Sequence, residues 1–159
     1  MIRAGIGYDV HPLKRGRRLI LGGVEIAFDK GLDGHSDADV LIHSIIDAIL
    51  GAMAEKDIGF YFPVSDPAWR DASSVEMLEK VRMIVHEKGF TIINLDSIII
   101  ADQPPLAAYF EAMKDRIAST LRVSREMISI KGKRVEGLGF VGKGEGMAAQ
   151  AVALLQRER

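Results

Sequence analysis

The sequence predicts a single α/β (α+β) domain. Short β-rich runs, the longest from Thr91 to Ala101, alternate with stretches whose apolar residues recur three and four apart. Helix-start and helix-stop signals bracket those stretches. The 159 residues are enough for one core, and no repeat, low-complexity tract or domain boundary interrupts them, so one domain is expected over 1–159.

Composition narrows the function classes. A hydrophobic share of 48% with 27% charged residues belongs to an ordinary globular chain. A net charge of −1 and no long basic run argue against a nucleic-acid partner. No apolar run approaches membrane-spanning length, and Met1 to Gly5 enter a strand-like pattern without a signal-peptide core. The expected location is therefore the cytoplasm, with no membrane partner. The chain has no cysteine, so a metal site must use His and carboxylate.

Ile2 to Tyr8 reads as a strand ending at Asp9. In Asp9-Val10-His11 the two polar residues are two apart, which places them on one side of an extended segment. Pro12 disfavours helix at His11. Arg18 to Leu21 and Val24 to Ile26 flank Gly22-Gly23 and read as a β-hairpin. Lys30 to Gly34 reads as a glycine-rich loop leading into the first helix. Ser36 is the expected cap, with Asp39 at capping-box spacing. Leu41, Ile45, Ala48, Ile49, Ala52 and Met53 form a buried stripe. Asp39, His43 and Asp47 share a second face beside it. His43 alone fits a structural histidine, hydrogen-bonded to a carboxylate, better than a ligand. With Asp9 and His11 it makes two donors from a strand end and one from a helix, leaving a fourth position open as in catalytic zinc sites. The helix N-terminus near His35 suits phosphate, although Asp37 and Asp39 would repel an anion unless a metal lies between.

Gly51 to Asp71 reads as a long irregular segment of the kind that often carries function. The second helix starts at Ser73, with Glu76 at capping-box spacing. It buries Met77, Leu78, Val81, Ile84 and Val85 and stops near Gly89, with His86 facing solvent. Thr91 to Ala101 is expected to be a central, well-covered strand. Asp102 to Pro105 close it, and a third helix over about 106–121 buries Leu106, Phe110, Met113 and Ile117. Met127 to Lys131 reads as a short strand. The glycines between Gly137 and Gly146 suit close approach to a ligand or another subunit. Met147 to Leu155 fits a helix or a strand, and periodicity does not decide between them.

Gly7 to His11, Gly34 to Val40, His43, Asp57 to Gly59, Phe62-Pro63 and Gly139 to Gly146 follow one another along the chain. Together they resemble the 2-C-methyl-D-erythritol 2,4-cyclodiphosphate synthase family, over essentially the whole chain. The resemblance implies a homotrimer, each subunit with a mixed sheet facing the threefold axis and helices on its other face. It also implies that the tail is a strand. The implied reaction cyclises 4-diphosphocytidyl-2-C-methyl-D-erythritol 2-phosphate and releases cytidine monophosphate (CMP).

By position, the resemblance implies zinc on Asp9, His11 and His43, and magnesium or manganese on Glu136 and the diphosphate. His35 and Ser36 match phosphate contacts, with His35 steadying transition-state charge. Asp57, Ile58 and Gly59 match contacts to the ribose and methylerythritol region, and Ala101, Asp102, Gln103, Pro104, Pro105, Leu106 and Ala107 match the cytosine loop. Further substrate contacts are implied for Val10, Phe62, Pro63, Val64, Ser65, Asp66, Lys133, Val135, Phe140 and Lys143. Asp47 is expected to orient a zinc-bound imidazole. Active sites are implied between subunits.

Several positions depart from the family pattern. Pro105 stands where Lys commonly follows the first proline, Val64 where Asp is usual, and Lys143 where Arg is usual. Lys133-Arg134-Val135 replace a Thr-rich run. Arg134 either reaches the diphosphate and stabilises its charge, which is the favoured expectation, or pairs with Glu136 and displaces the second metal. The alternatives to the synthase are a trimer that binds metal and nucleotide without turnover, and a metal-dependent phosphodiesterase on another nucleotide.

Overall fold

The computed structural model describes residues 1–157. Strand β1 (Ile2–Arg15) is paired on both edges. One partner is the tail strand β7 (Gly146–Arg157), antiparallel from Ile2↔Gln156 to Pro12↔Gly146. The other is the short β4 (Lys30–Leu32), also antiparallel. β7 pairs antiparallel with β5 (Phe90–Ile100), and β5 pairs parallel with β6 (Ile128–Lys133). The result is a mixed five-stranded sheet in the order β4-β1-β7-β5-β6. Strands β2 (Leu19–Leu21) and β3 (Val24–Ile26) form the separate hairpin expected around Gly22-Gly23.

Helices cover one face of the sheet. Helix α1 (Val40–Ala52) is its centre, and Leu41, Ile45, Ile46 and Ile49 are fully buried. It lies almost on the backbone of β1: a Cβ at Gly5 would collide with the Ala48 carbonyl, and one at Gly7 with the Ser44 carbonyl. Glycine at both positions permits that approach, which sets His43 beside Asp9 and His11. Helix α2 (Ile58–Tyr61) is one turn inside the long irregular segment. Helix α3 (Ser74–Glu87) starts at the expected cap Ser73 and buries Met77, Leu78, Val81 and Val85. Helix α4 (Phe110–Leu121) buries Met113 and Ile117 and follows a 3₁₀ turn from Ala107. One turn, α5 (Gly139–Gly142), precedes β7.

The other face is open in the single chain. Ile2, Ile6, Tyr8 and Val10 of β1 and Val152 of β7 are exposed there. β5 is accordingly covered on one side only, with Leu95, Ser97 and Ile99 buried and Asp96, Ile98 and Ile100 half-buried. The full cover expected from its isoleucines is absent within one chain.

Three further expectations are corrected. β1 runs on past Asp9 because β7 and β4 supply partners for the continuation. Lys30 to Leu32 is that partner strand and not a loop. The N-cap of α1 is Asp39 rather than Ser36, which instead accepts a bond from the Ala38 amide. The Asp39 carboxylate accepts from Ile42 N at 3.0 Å and also from Gly22 N at 3.0 Å and Gly23 N at 2.8 Å. It thus ties the hairpin to the helix start. Burial pushes its pKa up to about 6, with Asp37 adding to the rise and the amide bonds opposing it. Asp39→Ala removes a cap worth about 1 kcal/mol. It also orphans two amides at roughly 1 kcal/mol or more each. The expected loss is therefore about 3 kcal/mol, read by urea denaturation at fixed protein concentration. A loss below about 1 kcal/mol would contradict the role of Asp39 as a shared acceptor.

Candidate metal centre

Asp9 and His11 leave β1 on the same side, toward α1, as their two-residue spacing requires. Asp9 Oδ2 lies 3.1 Å from His11 Nε2 and 3.1 Å from His43 Nδ1. One donor atom from each residue falls within 4.8 Å of the others. The imidazole rings meet edge-on, with centroids 5.7 Å apart. Burial alone would raise the Asp9 carboxyl, but hydrogen bonds from His11 and His43 outweigh it and hold the carboxyl below its usual range. The Asp9 bond raises His11 despite burial.

The residues fit a divalent cation because the remaining imidazole nitrogens are already committed. His11 Nδ1 is 3.0 Å from the Asp33 carbonyl, an acceptor only, so that nitrogen keeps a proton, and Nε2, which faces Asp9, is the nitrogen free to exchange its proton for a cation. His43 Nε2 lies 2.8 Å from Ser74 Oγ and 3.2 Å from Ser36 Oγ. Imidazoles held from behind in this way are typical of metal ligands. Asp47 does not take part: it accepts from Ile58 N at 2.8 Å and so anchors the start of α2. The expectation that it orients an imidazole is corrected. Nor do Asp37 and Asp39 face an incoming anion, since Asp37 accepts from Ser74 N and Asp39 N while Asp39 is turned to the hairpin.

The three donors open onto a cavity of about 180 Å³. Its polar side adds His35 and Ser36, and its apolar side is Ile58, Gly59, Phe62, Val64, Trp69 and Met77. His35 Nε2 is buried and has no partner among the described residues. Asp57 caps α2 through Phe60 N, and Asp66 caps the turn at Pro67 through Ala68 N; neither carboxylate lines the cavity. Pro63 and Ser65 flank Val64 in sequence but do not line the cavity. Trp69 and Ser74 escaped the sequence reading. A second serine beside the cap Ser73 was the available signal.

A second cavity, of about 320 Å³, holds another group of expected residues. It is lined by Ala101 to Ala107 together with Ile99, Phe110, Gly132, Lys133 and Arg134. Asp102 joins its two sides by accepting from Val135 N at 2.6 Å and Gly137 N at 2.8 Å. Those bonds hold its carboxyl below the usual range. Glu136 sits between the two amides with φ +56° and an exposed side chain. Arg134 and Glu136 form no ion pair among the described residues. Val10 lies on the opposite face of β1 from Asp9 and His11, and Val135, Phe140 and Lys143 line neither cavity. Within one chain, the metal donors and the 101–107 loop belong to separate pockets.

Fold and donor set together define an α+β protein with a candidate Asp/His/His metal centre where its first helix crosses its longest strand pair. The chain belongs to the YgbB family, whose family model matches residues 2–156, and it is therefore an enzyme of a synthase family. It is 53% identical over 155 residues to the 2-C-methyl-D-erythritol 2,4-cyclodiphosphate synthase of Caldicellulosiruptor bescii, covering 98% of this chain and 99% of that one. Among solved structures it is similar to the bifunctional IspDF of Campylobacter jejuni, with a TM-score of 0.95 and 41% identity. That match covers 99% of this chain, which spans 43% of the longer one. It is also similar to the Plasmodium falciparum IspF in a CDP complex, with a TM-score of 0.87 and 34% identity, covering 99% and 97% of the two chains. No helix among the described residues is long and apolar enough to cross a membrane.

Proposed function

We propose that the protein cyclises 4-diphosphocytidyl-2-C-methyl-D-erythritol 2-phosphate to 2-C-methyl-D-erythritol 2,4-cyclodiphosphate. CMP is released, in the cytoplasmic non-mevalonate route to isoprenoid precursors. The observation that carries this reading is the Asp9, His11 and His43 donor set at the mouth of a cavity, in a chain similar to synthases of that name. An oxygen of the 2-phosphate attacks the β-phosphorus, and the bond from that phosphorus to the CMP oxygen breaks.

Such a transfer needs positioning and charge neutralisation rather than covalent help. A zinc ion on Asp9, His11 and His43, when bound, supplies Lewis-acid polarisation of a phosphoryl oxygen. His35 Nε2, buried without a protein partner, donates to the reacting phosphates beside Ser36. Asp57 to Gly59 contact the sugar, with Phe62 and Val64 along the cavity wall and Pro63, Ser65 and Asp66 next to them in sequence. Loop 101–107 holds cytosine through main-chain groups. The exposed carboxylate of Glu136 would hold a magnesium or manganese ion that neutralises diphosphate charge, with Lys133, Arg134, Val135, Phe140 and Lys143 as the neighbouring substrate contacts. The whole chain, 1–159, acts as one unit of a homotrimer. Separation of the two cavities within one chain supports a site shared between subunits.

The deciding experiment incubates the protein with this substrate, zinc and magnesium, and follows phosphorus resonances. Stoichiometric CMP and cyclic diphosphate are expected. CMP with an open-chain product would make the protein a phosphodiesterase, and CDP binding without turnover would make it the binding-only homologue.

Arg134 is read as a diphosphate contact, a reading supported by the absence of an Arg134–Glu136 pair. Arg134→Thr is expected to leave turnover similar or modestly lower. A tenfold gain, about 1.4 kcal/mol of barrier, would mean that the guanidinium blocks the second ion and would overturn the assignment.

A further inference from the structure

Ser74 is the first residue of α3 and is fully shielded from solvent. It does not cap its helix, since Ser73 already accepts from Val75 N. Its hydroxyl instead lies between His43 Nε2, at 2.8 Å, and Asp37 Oδ1. Asp37 is fixed in turn. Its Oδ2 accepts from Ser74 N at 2.8 Å, and its Oδ1 from Asp39 N at 3.2 Å. The backbone clamps the same two segments together, with Asp37 N on the Ala72 carbonyl and Asp71 N on the His35 carbonyl.

A buried hydroxyl has one proton to give and lone pairs to fill. The Asp37 carboxylate only accepts, so the Ser74 proton goes there. Ser74 Oγ then receives the proton of His43 Nε2, which makes Nδ1, on the Asp9 and His11 side, the nitrogen that gives up its proton when a cation binds. Ser36 Oγ, at 3.2 Å, is the only other hydroxyl bonded to Nε2 among the described residues. We infer that Ser74 and Asp37 are positioning residues: they set the tautomer and angle of His43 and so tune the affinity of the Asp9/His11/His43 site for a divalent cation. This inference rests on the metal-site reading above.

The test measures zinc affinity of the full chain by competition with a chelator. Wild type, Ser74→Ala, Ser74→Thr and Asp37→Asn are compared, each with its zinc-free melting temperature. In the zinc-loaded proteins, NMR follows solvent exchange of the His43 Nε2 proton. Loss of an outer partner of a ligating histidine typically weakens metal binding roughly 10–100-fold. Ser74→Ala should show a loss of that size, faster exchange of the proton and only a small fall in the zinc-free melting temperature, of the few degrees expected for one lost buried hydrogen bond. Ser74→Thr, which keeps the hydroxyl, should recover most of the affinity, and Asp37→Asn should fall between. Wild-type affinity in Ser74→Ala would overturn the inference while leaving the metal site standing. So would a loss that follows a larger fall in melting temperature and is not recovered by threonine. Wild type that binds no zinc would overturn both.

Discussion

His43→Ala should emerge from purification with almost no zinc, where wild type carries about one ion per chain. The candidate site offers three protein donors, and removing one leaves Asp9 and His11 alone. That should cost more than the roughly 10–100-fold associated with an outer partner. His43 is also buried, with 9% of its side chain exposed, so alanine leaves a cavity and strands Ser74 and Asp37. Asp9→Asn removes that ambiguity. It keeps the side-chain volume and takes away the anionic oxygen 3.1 Å from both imidazoles. Elemental analysis of both variants, beside their melting curves, is the measurement. Full zinc occupancy in either would sink the ligand assignment.

The second large effect is on assembly. Ile2 and Ile6 of β1 are each 64% exposed, Tyr8 is 52%, Val10 42%, and Val152 of β7 44%. Ile6 pairs with Val152 and Val10 with Ala148, so these residues form one apolar surface across neighbouring strands. Surfaces of this kind mark interaction sites. Burying an isoleucine contributes about 1.5–3 kcal/mol. A carboxylate forced into the same place costs several kcal/mol more. Ile6→Glu should therefore weaken self-association by roughly 100-fold or more and give monomers at micromolar concentration by light scattering. Zinc should stay bound, because Asp9, His11 and His43 come from one chain. Turnover should vanish, because the cytosine loop would have to come from a neighbouring subunit. An Ile6→Glu trimer would overturn the threefold assignment for this face. An active monomer would overturn the shared site.

What the sequence determined by itself was local. The i, i+2 spacing put Asp9 and His11 on one side of a strand, and the 3.6-residue period put His43 at the edge of a buried helix face. Ser73 acted as a cap, the glycine pair made the hairpin, and the helical stripes of α1, α3 and α4 were buried as their spacing implied, except that Ile84 and Phe110 are only partly buried. The ordered motifs also carried the family, matched over residues 2–156.

Other features were decided between segments far apart in the chain. Lys30 to Leu32 became a strand because β1 offered an unpaired edge, and Met147 to Leu155 became one because β1 and β5 flank it. Neither outcome is encoded in local periodicity, since backbone pairing depends on which partner arrives. Asp39 displaced Ser36 as the cap because the hairpin amides of Gly22 and Gly23 converge on its carboxylate. Asp47 does not reach His43 because Ile58 N claims it, and the hydroxyl that meets His43 Nε2 is that of Ser74, from a helix 31 residues away in sequence. Helical spacing shows which side chains share a face. Which donor meets which acceptor is set by how elements pack, and only the tertiary structure carries that information.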